Sequence, residues 1–389
     1  MSFAKRVAHL RPEGAYEVLA LAQSLERAGR DIIHLELGEP DFRASGAVTA
    51  AGVEAIHAGR TRYNPPPGIH ELRAALAEDA GRRRGIDVRP EQVVVSPGAK
   101  PNLFFPTLAL VEPGDEVLYP DPGFPTYEAM IRVAGGVPVP VPVVESSGFS
   151  FDLDAFDRLI GERTRLIILN SPANPTGGVL PRADLEHIAR RAQQADAWVL
   201  SDEIYSRLVY DAPDAPSIAS IEGMAERTVI VDGFSKTYAM TGWRLGYGIM
   251  PAALAGRISL LLTHSVGCTA HFTQYAGLEA LLGPQDWVGE MVAAYRARRD
   301  ALVAGLNAIP GVTCLCPQGA FYVFPNVSAF GLPASEIAER LLEEAGVAVL
   351  PGTAFGRYGE GHLRLAYCNS LENIEAALCR MRPVFERLA

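Results

Sequence analysis

The sequence predicts an α/β fold in which a mostly parallel, seven-stranded sheet carries helices on both faces and a smaller α+β domain is attached. Seven short apolar runs recur through the middle of the chain, separated by stretches with helical spacing. Continuous β-branched runs between helices are typical of parallel strands buried on both faces. The chain also has 389 residues, more than one hydrophobic core usually serves, so two domains are expected.

The seven strands are predicted where the apolar runs lie, in residues 93–95, 116–119, 137–143, 166–169, 198–200, 229–231 and 245–250. Parallel neighbours need crossover connections, and stretches such as 183–195, with helical spacing between two runs, suit crossover helices. This part of the chain, residues 46–281, is predicted to form the large domain.

Both ends of the chain are predicted to form the smaller domain, from residues 1–45 and 282–389. The first part holds a helix-like stretch at 16–28 and an apolar run at 32–37. The second part alternates a helix at 290–308, a strand at 320–324 and helices at 334–345 and 372–388.

Composition and charge exclude several classes of protein. The net charge of −10 argues against a nucleic-acid binder, and no run approaches the roughly 18–20 apolar residues of a membrane span. Residues 1–13 lack the apolar stretch of a secretory signal. The five cysteines include no CxxC pair, so we expect no metal site, but free and mostly buried thiols in a reducing cytoplasm.

Polar and glycine-rich motifs follow one predicted strand after another. In an open α/β sheet, ligands bind beyond the carboxyl ends of the strands. The motifs are therefore expected to meet at one edge of the sheet; they lie at residues 96–100, 121–124, 174–177, 202–205 and 235–236.

The first of these motifs is a candidate anion site. Gly98, Ala99 and Lys100 stand where a strand turns into a helix predicted at 102–110, and Pro101 suits a first helical turn. Free N–H groups and the helix dipole at such a turn attract phosphate. The glycine patterns of dinucleotide and nucleotide-triphosphate sites are missing, so those ligands are not expected.

Lys236 is the candidate nucleophile. A lysine just past a buried strand is partly desolvated, which favours its neutral form. Ser235 and Arg244 flank it with side chains suited to phosphate. A lone Ser-Lys pair is usually a solvated loop, but the added arginine eight residues on, after a strand, makes the pattern more specific.

The chain resembles the class I aminotransferases of pyridoxal-phosphate (PLP) fold type I over nearly its full length. The resemblance is carried by Gly-Glu-Pro-Asp-Phe at 38–42, Tyr-Asn-Pro at 63–65 and Pro-Gly-Asp-Glu-Val at 113–117. It continues through motifs at 170–177, 201–205, 240–247 and 364–366.

The resemblance implies PLP as the cofactor and assigns the groups around its ring. Lys236 would be the Schiff-base lysine and, once released, would shuttle the α-proton. Asp202 would face the ring nitrogen and keep it protonated. Tyr205 and Asn174 would hydrogen-bond the phenolic oxygen, and Phe124 would stack on the ring.

The resemblance also assigns the phosphate site. Ser235, Arg244 and the backbone of the 98–100 turn would hold the phosphate. Tyr63 would reach the same phosphate from a neighbouring subunit, which implies a homodimer with shared active sites.

Arg364 matches the arginine that grips the substrate α-carboxylate with a planar, two-pronged contact. Asn174 would also lie against the substrate, and Gly38 would let the backbone approach the same carboxylate. Local alternatives remain for the other residues: a helix N-cap at Asp202, a plain turn at 174–175, core packing at 124 and 205, and an exposed loop at 63.

Three functions are considered. Transamination between an L-amino acid and a 2-oxo acid by a ping-pong mechanism is the first. A PLP-dependent lyase that performs β-elimination on a sulfur amino acid is the second, because it needs the same residues. A transcriptional regulator with a PLP-binding domain is the third, but it would carry an added helix-turn-helix module.

The sequence does not decide which amino-acid side chain is bound. No Lys or Arg occurs from Ile258 to Tyr295, where some relatives place a second substrate arginine. Weak candidates for the side-chain pocket are Tyr16, His264 and His271.

Overall fold

A computed structural model describes residues 4–8, 10 and 12–388. The strands are, in chain order, β1 (Ile33–His34), β2 (Val93–Ser96), β3 (Glu116–Asp121), β4 (Val137–Pro142), β5 (Thr164–Asn170), β6 (Trp198–Asp202), β7 (Thr228–Gly233), β8 (Gly246–Ile249), β9 (Tyr322–Val323), β10 (Val347–Ala348), β11 (Leu350–Pro351) and β12 (Leu363–Ala366). The α-helices are α1 (Gly14–Arg27), α2 (Gly46–His57), α3 (His70–Arg84), α4 (Lys100–Leu110), α5 (Thr126–Ala134), α6 (Leu153–Leu159), α7 (Arg182–Gln194), α8 (Phe234–Thr237), α9 (Ala252–Thr263), α10 (His271–Leu282), α11 (Asp286–Asn307), α12 (Ala334–Ala345) and α13 (Leu371–Leu388).

The central sheet has seven strands in the order β2-β8-β7-β6-β5-β3-β4. Strand β8 runs antiparallel to both of its neighbours, and all other pairs are parallel. The prediction of a mostly parallel, seven-stranded sheet is confirmed. Because the parallel strands end at one edge, the residues that follow β3, β5, β6 and β7 are brought together there.

Helices cover both faces of this sheet. Val94 packs with Leu103 of α4 on one face. Its neighbours Val93 and Val95 point the other way and pack with Leu72 of α3. The same alternation along β5 places α5 and α9 on the first face and α6 and α7 on the second. Burial on both faces explains why the strands read as continuous apolar runs.

The elements at the two ends of the chain pack together outside the central sheet. Strands β11, β12 and β9 make a small antiparallel sheet, and β1 pairs with β10 in parallel. Strands β1, β9, β10 and β12 share a core with α11, α12 and α13. The N-terminal strand therefore joins the C-terminal elements, as the sequence indicated, while the boundaries at 46 and 281 stay a prediction.

Two expectations need correction or restriction. Residues 320–324 were expected to form one strand, but only Tyr322 and Val323 do so. Ala320 has a positive φ of 56°, and its N–H donates to the backbone oxygen of Leu208, in the segment that follows β6. The five cysteines are free in the described part of the chain, but only Cys314 is buried, and Cys316 and Cys379 are exposed.

No helix in the described ranges is long and apolar enough to cross a membrane. The expectation that residues 1–13 are not a secretory signal concerns a stretch of which residues 1–3, 9 and 11 lie outside the described residues.

Candidate active site

Lys236 lies in the short helix α8, directly after the central strand β7. Its part-buried ammonium donates to the backbone oxygen of Gly38 at 2.6 Å and lies 5.4 Å from the centre of the Phe321 ring. Burial lowers the pKa of Lys236 to about 8. The amine is therefore available in its neutral form close to physiological pH.

Asp202 ends β6, the strand next to β7, and is buried. The Tyr127 hydroxyl donates to its Oδ2 at 2.7 Å, and the backbone N–H of Ile204 donates to Oδ1 at 3.3 Å. No Lys or Arg among the described residues forms an ion pair with it, and burial raises its pKa to about 6. A buried carboxylate without a cation is stabilised when a positively charged or protonated group binds to it.

The turn between β2 and α4 forms an open cradle next to a cation. Gly98 has φ 79°, and a Cβ on it would overlap the guanidinium of Arg244. Arg244 is exposed, has φ 53° and donates from Nη1 to the oxygen of Thr241 at 2.7 Å. Helix α4 starts just beyond Ala99, so its N-terminal N–H groups, the arginine and the half-buried Ser235 supply donors suited to an anion.

Arg364 lies on β12, 3% exposed, with its guanidinium between the rings of Tyr322 and Phe355 at 4.7 and 4.8 Å from their centres. Its Nη1 donates to Asn174 Oδ1 at 3.3 Å, and its Nη2 to the backbone oxygen of Glu36. Its Nε is buried with no partner in the described part of the chain. The side chain is thus held flat, with donor capacity to spare.

Tyr322 links several of these groups. Its hydroxyl lies 2.8 Å from the hydroxyl of the buried Tyr205, and burial raises the pKa of Tyr205 well above its usual range. A Cβ on Gly38 would overlap the Tyr322 hydroxyl. Residue 38 must therefore be glycine for its backbone to reach Lys236 past this tyrosine.

Asn170 holds Asp202 and Asn174 in a fixed relation at the end of β5. Its side-chain oxygen accepts from the N–H of Asn174 at 2.8 Å, and its amide donates to the backbone oxygen of Asp202 at 3.1 Å.

The remaining predicted residues lie at the rim or outside it. Phe124 is half-buried and meets Tyr127 edge-on, with ring centres 5.7 Å apart. The ammonium of Lys100 lies 5.1 Å from the centre of the Phe124 ring and pairs with Glu13. Tyr63 is 97% exposed and contacts none of this group in the single chain.

Comparison with known proteins assigns this arrangement to a family. A family model described as aminotransferase class I and II matches residues 30–381. The chain belongs to the class I and II aminotransferases. An aspartate aminotransferase of Pyrococcus abyssi is 40% identical over 91% of this chain and 92% of its own length. An aromatic-amino-acid aminotransferase of Thermococcus litoralis is 38% identical over 99% of both chains.

The solved structures agree with this assignment. The structure of a Thermus thermophilus aspartate aminotransferase with maleate superposes with a TM-score of 0.94, at 40% identity over 99% of this chain and all of the other. The protein is therefore an enzyme that transfers amino groups, and the resemblance read from the sequence motifs is confirmed.

Sequence reasoning missed Tyr127 and Tyr322 of this aminotransferase site, and it gave no role to Asn170, although the 170–177 motif contains this residue. Tyr127 is 75 residues from Asp202, and Tyr322 is 117 residues from Tyr205. No local pattern could pair them. Asn170 had a visible signal, since it lies between a predicted strand and the Asn174 motif.

Proposed function

We propose that this aminotransferase uses PLP, bound through the amine of Lys236, to move the amino group of an L-amino acid to a 2-oxo acid in two half-reactions. The observation that carries the proposal is that one strand is followed by a lysine whose pKa is about 8, and the neighbouring strand ends in a buried Asp202 that forms no ion pair among the described residues. When bound, PLP supplies an amine-reactive aldehyde and an electron-poor ring that stabilises negative charge at the amino-acid α-carbon.

The chemistry of the donor set fits this cofactor. Asp202 would pair with the protonated ring nitrogen and thereby gain the cation that it lacks among the described residues. Such a pairing stabilises the ionised carboxylate and would lower its pKa again. Tyr127, which donates to the same carboxylate, would fix its orientation.

The cradle at residues 98–100 would take the phosphate. The space beside Gly98 is bordered by Arg244, and the N–H groups at the start of α4 provide further donors. Ser235 would add a hydroxyl. Asn174 and Tyr205 would donate to the phenolic oxygen, and Phe124 would stack on the ring.

Lys236 would serve as both base and acid. Burial lowers its pKa to about 8, so the amine is neutral often enough for one side chain to accept the α-proton and return it to another carbon. Its contact with the Gly38 oxygen holds the amine near the predicted substrate position.

Arg364 would bind the substrate α-carboxylate and so orient the Cα–H bond toward Lys236. The free Nε and the flat packing between two rings suit a two-pronged contact. Asn174, which already bonds Nη1, would line the same position.

We also propose a homodimer and a neutral amino donor. Tyr63, 97% exposed, would complete the phosphate site of a partner subunit.

Relatives include aspartate and aromatic aminotransferases. The Lys100 cation beside the site is already neutralised by Glu13, and no Lys or Arg occurs in residues 258–295, so the charges favour an aromatic or other neutral side chain over an acidic one. A cytoplasmic location stays a prediction from composition.

The proposed function is tested with a panel of amino donors against pyruvate and 2-oxoglutarate, followed through the absorbance of the cofactor. We expect amino transfer by the wild type and none by Lys236→Ala, with both proteins folded by circular dichroism. Near-normal transfer by Lys236→Ala would remove the assigned role. The lyase alternative, which the names of the relatives do not favour, predicts ammonia, pyruvate and a thiol from a sulfur amino acid instead.

A further inference from the structure

Arg364 is a buried cation with no bonded acidic side chain in the described ranges. Its contacts are the Asn174 amide, the backbone oxygen of Glu36 and two aromatic rings. Burial lowers the pKa of Arg364, as expected for a charge held away from water. The charges nearby therefore act on it through a medium that screens weakly.

Glu36 is the acidic residue beside it. Its side chain is 0% exposed. One carboxylate oxygen, Oε1, lies 2.7 Å from His34 Nδ1, and the other, Oε2, is buried without a partner among the described residues. Burial lowers the pKa of Arg364 overall, and the negative charge of Glu36 is one of the contributions that oppose this effect. A half-satisfied buried carboxylate has a strong uncompensated field.

His34 connects this carboxylate to the surface. Its Nε2 lies 3.1 Å from Oε1 of Glu26, a residue of α1 whose side chain is 42% exposed. Both ring nitrogens thus face carboxylate oxygens, and only the protonated ring can donate to both. Burial by itself lowers the pKa of His34, but the hydrogen bonds with Glu36 and Glu26 outweigh it, and the pKa is raised.

Two further contacts of His34 carry no charge. Strand β10, which pairs with β1, presents Val347 and Ala348, and the neutral amide of Asn369 donates to the backbone oxygen of His34. The result is a row of alternating charges, Glu26, His34, Glu36 and Arg364, that runs from the surface to the back of the candidate substrate site.

We propose that His34 and Glu36 are positioning residues that tune the hold of Arg364 on the substrate carboxylate. Protonated His34 compensates the buried charge of Glu36. When His34 loses its proton, the uncompensated carboxylate behind Arg364 repels the substrate carboxylate, and binding weakens. The inference rests on the role proposed for Arg364 and adds a pH control that comes from outside the site.

The expected sign follows from the direction of the shift. His34 stays charged to a higher pH than a free histidine, so tight binding persists through pH 6.5 and is lost only above it. Across this titration the dissociation constant of a carboxylate should rise by roughly three- to tenfold, the size expected for one charge acting across a partly buried distance.

The test measures the dissociation constant of 3-phenylpropanoate, a monocarboxylate without an amino group, on the holoenzyme by calorimetry between pH 5.5 and 9. The dissociation constant of each variant is divided by that of the wild type at the same pH, so that titrations common to both proteins cancel. We expect His34→Gln to bind weakly at low pH, converging with the wild type at high pH. Glu36→Gln should bind the probe tightly at every pH, so its affinity should exceed that of the wild type most at high pH. Glu26→Gln, on the exposed side, should only lower the pH of the transition.

Ratios that do not change with pH in both His34→Gln and Glu36→Gln would overturn the inference. Because the two variants are expected to move in opposite directions, a general loss of packing cannot imitate them. Arg364→Leu should abolish binding of the probe while leaving cofactor binding largely intact. This variant distinguishes a failure of the role proposed for Arg364 from a failure of the His34–Glu36 inference. If Arg364→Leu binds normally, the role of Arg364 has failed; if it does not bind and the ratios are flat, only the His34–Glu36 inference has failed.

Discussion

At the scale of single residues, burial sets the protonation of the two groups on which the chemistry depends. Lys236 is more acidic than a free lysine, and Asp202 is less acidic than a free aspartate. Both shifts are caused first by loss of water. The pKa values of both groups therefore lie closer to neutral pH. There a lysine can act as a base, and a carboxyl group gains stability from a cationic partner.

The lysine shift makes a kinetic prediction. Only the neutral amine attacks an aldehyde, so the rate at which the apoenzyme recovers absorbance with added PLP should rise with pH and level off above about 8. The same reaction with N-acetyl-lysine methylamide serves as the control and should level off near 10.4. Equal midpoints for the protein and this model amine would contradict the lowered pKa.

The Lys100–Glu13 pair makes a prediction about specificity. Glu13→Gln leaves Lys100 without its anion, so activity with aspartate should rise relative to phenylalanine by about two- to fivefold, the worth of a partly exposed ion pair. The ratio of kcat/KM values measures this. Glu17→Gln, at an exposed position in the first turn of the helix that Glu13 precedes, is the matched control. A fall in the aspartate ratio of Glu13→Gln would rule out the proposed neutralisation.

At the scale of elements, the site depends on how closely β8 approaches the turn between β2 and α4. Gly246 begins β8, and a Cβ there would overlap the backbone of Gly98 and Ala99. Backbone cannot yield as a flexible side chain can. The absence of a side chain at residue 246 therefore shapes the anion cradle without touching any ligand.

Gly246→Ala should push this turn outward. We expect a loss of about 1–3 kcal/mol in the free energy of unfolding, together with weaker PLP binding. Gly256→Ala, in α9, is the control, because a Cβ at Gly256 meets nothing within 4 Å. Chemical denaturation and cofactor titration measure both effects, and unchanged PLP affinity in a stable Gly246→Ala protein would show that the cradle does not need this contact.

The same scale explains what the sequence could and could not predict. Strands buried on both faces carry continuous apolar runs, so all seven were visible, and their polar ends located Asp202 and Lys236. Local patterns could not reveal that Tyr127 contacts Asp202, or that Glu36 lies behind Arg364, since these contacts join residues 75 and 328 positions apart. The strand expected at 320–324 was too long because a contact with Leu208, distant in sequence, bends the chain at Ala320.

At the scale of the whole molecule, the proposed site is incomplete in one chain. Tyr63 is 97% exposed in the single chain. Tyrosine is enriched at protein interfaces, so an exposed tyrosine is suited to contact a partner. The proposed homodimer gives it one and explains why a single chain leaves the phosphate cradle open.

Mixing two inactive variants tests the sharing. In a dimer of Tyr63→Ala with Lys236→Ala, one site has both residues intact if Tyr63 serves the partner subunit. Refolding the two together should restore about a quarter of wild-type activity, because roughly half of the dimers are mixed and each has one complete site. The separately refolded variants are the controls. No recovery despite mixed dimers would mean that Tyr63 serves its own chain, and full activity of the separately refolded Tyr63→Ala would mean that it has no role.

The most direct test of the account is to trap the lysine that carries the cofactor. The holoenzyme is reduced with borohydride, digested and analysed by mass spectrometry for the pyridoxyl-phosphate mass. We predict the label on Lys236. A label on Lys100 or Lys5 instead, or a protein that takes up no PLP at all, would contradict the central claim.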